Sequence, residues 1–373
     1  MFRLSRMGAT AVAVAALLLV ALSPASGRAA ETITVTDTLG REVAVPHGAK
    51  RVLLGFYFED FYAIVGPDAY SRVVAISRDA WEGWRNSQWK AYTAIDPRLE
   101  KLTDIGEVDA GTFNIEAALV SKPDVAILAA WQYRMLGNAV QKLEKAGIPV
   151  VVADYNAQTL EKHLVSTRLI GRVMATEERA TALAAQYENA VRDVLDRVGS
   201  AKGGAKKVYV ELGNSGPDKY GNSYAGHMWG RVIGMAGGTN IADGKITTSS
   251  PLNPEYVLAS KPEIVLFAGS DWRGRDQAIL LGFDHSETLT RERVAPFKAR
   301  PGWSKLPAVE TGDVYVVYHG GARTLYDFAF LQFIAKAIHP EAFADIDPVE
   351  NHRRFYEEWL PIEANGTFMM RAD

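Results

Sequence analysis

The sequence predicts an α/β chain of two similar lobes built on mainly parallel sheets, and three observations carry that prediction. The segment Asn114–Leu128 recurs as Asn253–Phe267, 139 residues later, with Asn, Glu, Leu, Ser, Lys and Pro in register. Each copy ends in a short apolar run after Lys-Pro, too brief for a helix and suited to a strand buried on both faces. The chain is also about twice the size of one ordinary domain once an N-terminal processing segment is set aside.

Each copy reads the same way physically. Asn114 and Asn253 can cap a helix, and Glu116 and Glu255, two positions on, sit where the helix dipole favours negative charge. About two turns follow, with Ala118, Leu119 and Leu258 as apolar positions. Lys-Pro then stops the helix, because proline lacks the donor and clashes with the preceding turn.

Taken in order, residues 1–30 read as a signal peptide. Arg3 and Arg6 precede an apolar run from Gly8 to Leu22, and small residues from Ala25 to Ala30 offer a cleavage site. About fifteen apolar residues are short of the roughly twenty a spanning helix needs. Thr32–Thr36 and Glu42–Pro46 alternate at period two around Asp37-Thr38-Leu39-Gly40-Arg41 and read as a hairpin. Lys50–Leu54 and Val73–Ser77 read as strands, with a helix over Phe58–Val65 between them.

Arg78 to Arg98 holds Trp81, Trp84, Trp89 and Tyr92 among polar residues, and the spacing of Trp81, Trp84 and Gln88 fits one helical face. Two readings stand for that face: packing on the lobe, or a wall that stacks on a planar ligand.

Helix over Ala139–Lys145 and strand over Ile148–Ala153 follow the first repeat copy. A helical region then runs from Thr159 to Val198, broken near Gly171–Thr176. Thr176 is placed as a cap, with Glu177 and Glu178 in the first turn. Its second part, about 22 residues at 1.5 Å each, spans roughly 33 Å, enough to cross between lobes.

Lys207–Leu212 opens the second lobe with a strand, Gly213–Gly226 reads as loop, and Met228–Ala236 as a helix closed by Gly237-Gly238. After the second repeat copy come a strand over Asp313–Tyr318, a helix over Tyr326–Ile338, and a tail that is helical to about Pro361. The resulting boundaries are 1–30 signal peptide, 31–176 N-terminal lobe, 177–198 inter-lobe helix and 199–373 C-terminal lobe.

The doubled Asn-x-Glu…Lys-Pro-Asp/Glu element resembles one found in both lobes of the periplasmic substrate-binding proteins of ABC importers for iron(III)-siderophores, cobalamin and haem. The resemblance covers nearly the whole chain after residue 30. It implies a single long helix joining the lobes and a ligand cleft between them. It also implies that Glu116 and Glu255 pair with arginines of a dimeric membrane permease, one glutamate per lobe. The ligand expected on this basis is an iron(III)-siderophore-like metal chelate, with cobalamin or another corrinoid, haem, or an oxyanion such as molybdate as alternatives.

Composition narrows the rest. The chain has no cysteine, so disulfides, thiolate metal sites, Cys nucleophiles and a lipid-modified N-terminal Cys are unavailable. Removing Arg3, Arg6 and Arg28 with the signal peptide, and no acidic residue, takes the formal net charge from -3 to -6. A mildly acidic chain without basic runs does not suit nucleic acid. No Gly-x-Ser-x-Gly, Gly-x-x-x-x-Gly-Lys or His-Glu-x-x-His motif occurs, which argues against an enzyme. A monomer in the periplasm without a resident cofactor is expected.

In open α/β sheets ligands bind outside the carboxyl ends of the strands. Residues following the proposed strands are Phe56 and Tyr57, Arg78 and Trp81, Trp131, Tyr133 and Arg134, then Asn214, Tyr220 and Tyr224, Ser270, Trp272 and Arg273, and His319 and Arg323. The ligand-binding candidates among them are Tyr57, Arg78, Trp81, Trp131, Tyr133, Tyr220, Tyr224, Trp272, Arg273, His319 and Arg323. Rings that stack and guanidiniums that pair with charge suit an anionic, partly planar chelate. Packing is the competing role for the aromatics, and surface ion pairing for Arg273 and Arg323. His319, beside Gly320-Gly321, can hydrogen-bond a ligand or ligate metal.

Overall fold

The computed structural model describes residues 31–372, so the signal peptide expected over 1–30 lies outside the described residues. Two five-stranded sheets form the centres of the two lobes. In the first, Thr103–Asp104, Val73–Ile76, Val52–Leu54, Val125–Ala129 and Val150–Ala153 lie side by side in that order, all parallel. In the second, Thr239–Asn240, Lys207–Leu212, Ile264–Gly269 and Val314–Tyr318 are parallel, and Met369–Arg371 closes the edge antiparallel.

The repeat copies occupy equivalent places. Asn114 accepts from the Ala117 amide, and Asn253 from the amides of Glu255 and Tyr256, so both asparagines cap as their sequence suggests. The strands that follow, Val125–Ala129 and Ile264–Gly269, are buried at every position and central in their sheets.

Helices Leu160–Met174 and Glu177–Ser200 pack on each other, and the 24 residues of the second lead from the first lobe into the second. Thr176 takes the N-cap position, but its hydroxyl makes no cap bond. Two further expectations are corrected, and one strand is added to the tail. Arg78–Glu82 and Asn86–Ile95 are two separate helices, so Trp81, Trp84 and Gln88 do not share one helical face. Asn222–Tyr224, inside the expected loop, pairs with Ser249–Pro251. The tail past Trp359 returns as a strand along Val314–Tyr318, because Met369 and Met370 are apolar enough to cover that sheet edge.

The lobes are joined by buried polar bonds as well as by the helix. Glu59, 3 % exposed at the start of the helix Phe58–Val65, accepts from Tyr92 and Gln88 of the first lobe and from Tyr326 and Tyr356 of the second. Next to it, Asp60 accepts from the Leu325 amide at 2.6 Å. His163 pairs with Asp327 at 2.9 Å, and Tyr187 of the long helix donates to the same carboxylate. Hydrogen bonds of this kind offset the cost of burying such groups.

Burial pushes the Asp60 carboxyl up to about 7, with neighbouring Glu59 adding to the rise and the Leu325 amide opposing it. A carboxyl raised on folding holds its proton in the native state at pH values where the unfolded chain has lost it, so stability falls as pH climbs through that window. Asp60→Asn keeps an acceptor for Leu325 and removes the titration. It is therefore expected to gain about 1–3 kcal/mol on the wild type between about pH 5 and pH 8. Calorimetric unfolding of both proteins across that range checks this; parallel profiles would refute it.

Candidate functional site

Strand Val52–Leu54 delivers Gly55-Phe56-Tyr57 to the carboxyl edge of the first sheet. Gln132 Nε2 donates to the Gly55 carbonyl at 3.0 Å, and a Cβ on Gly55 would lie 2.5 Å from Gln132 Oε1, so a larger residue there would displace this side chain. Tyr57 has a left-handed backbone at φ 60°, and its hydroxyl donates to Asn156 at 2.7 Å. The helix Phe58–Val65 then begins with the clamped pair Glu59-Asp60.

Across the gap, strand Val314–Tyr318 delivers His319-Gly320-Gly321 and then Arg323, also left-handed at φ 61°. A Cβ at Gly320 would fall 2.4 Å from the Tyr318 ring, and one at Gly321 2.2 Å from that of Phe330. This turn runs directly into Leu325 and Tyr326, the residues that grip Asp60 and Glu59. The two site-bearing turns are thus fixed to each other within a few residues of their functional side chains.

The space between them is built around one ring. The guanidiniums of Arg85 and Arg323 lie 5.0 and 5.3 Å from the centroid of Phe56. Trp84 and Trp131 meet the same ring edge-on at 6.2 and 5.7 Å. Both arginines are buried, at 5 % and 4 % exposure, and the Nε of each is without a hydrogen-bond partner.

Burial pushes Arg323 down to about 9, Arg85 pushes the same way, and the groups opposing them are tyrosines with no carboxylate among them. Cation–ring contact of about 0.5–2 kcal/mol does not offset the cost of burying such a charge. At Arg323 the site therefore holds positive charge with no carboxylate set against it, whereas Arg85 feels the buried Glu59.

His319 sits beside Arg323. Its Nδ1 receives the Trp229 indole N–H at 3.1 Å, and Arg323 Nη1 lies 3.4 Å from its Nε2. Tyr224 and Trp272 stand 6.0 and 6.2 Å from its ring. Burial and then Arg323 and Arg85 hold the imidazole well below its usual range, so it is neutral.

Of the sequence candidates, Tyr57, Trp131, Tyr224, Trp272, His319 and Arg323 are brought together around this space. Five are placed elsewhere. Trp81 is fully buried and stacks on Phe58 at 4.6 Å, because its helix turns it into the core. Arg78 spans to the Leu99 and Glu100 carbonyls and covers Trp89, tying down its own segment.

Tyr133 receives Arg41 and anchors the N-terminal hairpin. Tyr220 accepts from Trp303 and lies under Arg300, whose partner is buried Glu211. Arg273 is exposed and pairs with Glu82 and Asp79, a surface bridge between lobes.

Trp84, named in the sequence only as part of a face with two readings, stands at this ring, whereas Arg85, Asn156 and Trp229 were not among the candidates. Arg85 lies seven residues past Arg78, beyond the reach of a strand-end rule, and only the density of Trp and Arg over 78–98 signals it.

The lobes are bridged on both sides of the site. Trp84 O accepts from Ser270 and Asp271 O from the Asn86 amide on one side; on the other the Met228 amide reaches Asn156 O. Surface concavities elsewhere, one lined by Asn214, Lys219, Arg275 and Gln277, another by Tyr62, Tyr70 and Arg98, contain no buried guanidinium.

Two α/β lobes, a connecting helix and a polar-aromatic space at the carboxyl edges of both sheets define a solute-binding protein. The chain belongs to the periplasmic binding protein family, whose profile matches residues 55–318. Members of this family bind solutes and are not enzymes. A solved structure described as a TroA-like periplasmic binding protein FepB from Veillonella parvula is 34 % identical, covers 91 % of this chain and 100 % of its own, and superposes with a TM-score of 0.85. The molybdate-binding protein MolA of Haemophilus influenzae is 21 % identical over 87 % of this chain and 90 % of its own length, and its structure superposes at a TM-score of 0.67. A cobalamin-binding protein of Halobacterium salinarum is 30 % identical over 46 % of this chain and 44 % of its own.

Because Arg323 is buried without an acid, replacing it by an apolar side chain of similar length removes a cost. Arg323→Met is expected to raise the stability of the ligand-free protein by about 1–3 kcal/mol while abolishing anion binding. A thermal melt without ligand checks this, and a lowered midpoint would show that the arginine is structural.

Proposed function

We propose that this chain captures an anionic metal chelate of the iron(III)-siderophore type in the periplasm, reached through a signal peptide over 1–30, and delivers it to the permease dimer of an ABC importer. The observation that supports the charge of the ligand is the pair Arg85 and Arg323 beside Phe56, both buried, with no carboxylate among the groups that act on Arg323. Guanidiniums bind the peripheral oxygens of a chelate, and Phe56, Trp84, Trp131 and Trp272 give its ring faces something to stack on. A second reading, a small oxyanion, is favoured by the bridges between the lobes on both sides of the site.

Tryptophan fluorescence of the purified protein, titrated with an iron(III) tris-catecholate and with molybdate, separates the two. Saturable quenching by the chelate, weakened at least tenfold in Arg85→Ala, is expected. Response to molybdate alone would replace this reading by the second, and response to neither would sink both.

Delivery rests on Glu116 and Glu255. Each is exposed in the first turn of its helix, and each helix starts where a strand ends: the Asn114 amide bonds the Ile105 carbonyl, and Tyr256 Oη the Ile241 carbonyl. Both glutamates therefore lie at the carboxyl edge of the sheets, the same edge that presents the ligand residues. Glu116→Ala with Glu255→Ala is expected to abolish solute uptake by cells while leaving chelate affinity unchanged. Uptake at the wild-type rate, or lost affinity, would contradict the docking role.

A further inference from the structure

We infer that His319 meets the ligand as a neutral hydrogen-bond donor, its proton held on Nε2 by Trp229, and that it is not a metal ligand. The inference takes the anionic ligand from the function proposed above; the tautomer itself does not depend on it. Trp229 is fully buried, and its indole nitrogen can only donate. It lies 3.1 Å from His319 Nδ1. Arg323 Nη1, which also can only donate, lies 3.4 Å from Nε2.

A neutral imidazole has one acceptor nitrogen, so both donors cannot be satisfied. The closer donor, Trp229, takes the lone pair of Nδ1, and the ring hydrogen goes to Nε2.

The surroundings exclude the doubly protonated ring on geometric grounds. The groups against it are Arg323 on its own turn, Tyr224 from the short strand Asn222–Tyr224, and the indoles of Trp229 and Trp272, and the charge of Arg85, from the turn before Asn86–Ile95, also acts on it. Two are cations and none is a carboxylate.

Nε2–H and an Arg323 Nη1–H therefore face each other with no acceptor between them, the other contact of Nη1 being the weak acceptor Met228 Sδ at 3.7 Å. An anionic oxygen of the ligand is the atom that satisfies both. No lone pair of His319 remains for a metal. The chelate's metal is accordingly coordinated by the chelator alone, and the protein reads the outer oxygens.

Two measurements test this. Long-range nitrogen–proton NMR of protein labelled with 15N-histidine, with His319 assigned by comparison with His319→Gln, is expected to show Nδ1 bare and Nε2 protonated from about pH 8 down to about pH 5. Trp229→Phe is expected to lose that preference. A proton on Nδ1, or an imidazolium at the acid end, would overturn the inference.

In the second, His319→Gln supplies an N–H donor and is expected to bind iron(III) tris-catecholate within about threefold of wild type, and His319→Leu roughly 10- to 100-fold more weakly. Equal losses in both variants, or a shift in the chelate's charge-transfer band on binding wild type that His319→Gln abolishes, would overturn it. Failure of the wild type to bind the chelate would tell against the proposed function instead, and the NMR result would then decide this inference by itself.

Discussion

The Glu59 carboxylate is where the two lobes meet. Three tyrosine hydroxyls and one amide converge on its two oxygens, two of these donors from each lobe. Hydrogen bonds to a charged acceptor contribute about 1.5–3 kcal/mol each, and losing the acceptor would leave buried hydroxyls unpaired. Burial still pushes the Glu59 carboxyl up, with the tyrosines opposing. Because Tyr326 follows Arg323 by three residues and Glu59 follows Tyr57 by two, this polar knot also sets the spacing of the ligand residues. The floor of the site is fixed by this knot, and the lobes meet again at its sides, through Ser270–Trp84, Asn86–Asp271 and Arg273–Gly83 on one and Met228–Asn156 on the other.

That rigidity explains how the protein tolerates a buried arginine, Arg323, with no carboxylate acting on it. Arg323 has a left-handed backbone and a guanidinium in surroundings hostile to charge, two unfavourable features in one residue. Such strain persists only when neighbouring structure over-determines it, which the Asp60–Leu325 and Glu59–Tyr326 bonds do. The cost returns as affinity, because a ligand anion supplies the missing countercharge without having to displace a competing carboxylate.

Much of the architecture was legible in the sequence because it depends on local chemistry. The capping asparagines, the Lys-Pro stops and the buried runs after them recur in both halves, and each corresponds to an observed helix start, turn and central strand. The strand-end rule named Tyr57, His319 and Arg323, which the structure brings near one another because each lies within five residues of its strand's end. It also named Trp81, Tyr133 and Tyr220, whose directions are set by helix phase and by distant partners such as Arg41 and Arg300. Arg85 and Trp229 were hidden because their roles arise only when helical segments fold back onto a ring or an imidazole supplied from elsewhere. The antiparallel strand Met369–Arg371 was hidden because three residues give no periodicity to read.

The central claim is that the space between Phe56, Arg85, His319 and Arg323 receives the solute. A crystal structure of the protein grown with an iron(III) tris-catecholate, with the iron located by its anomalous scattering, tests this directly. The account predicts an iron peak between the lobes beside the Phe56 ring, chelate oxygens on Arg85, Arg323 and His319 Nε2, and no protein atom bonded to iron. Iron located outside the inter-lobe space, or no ordered iron in crystals of the saturated protein, would contradict it.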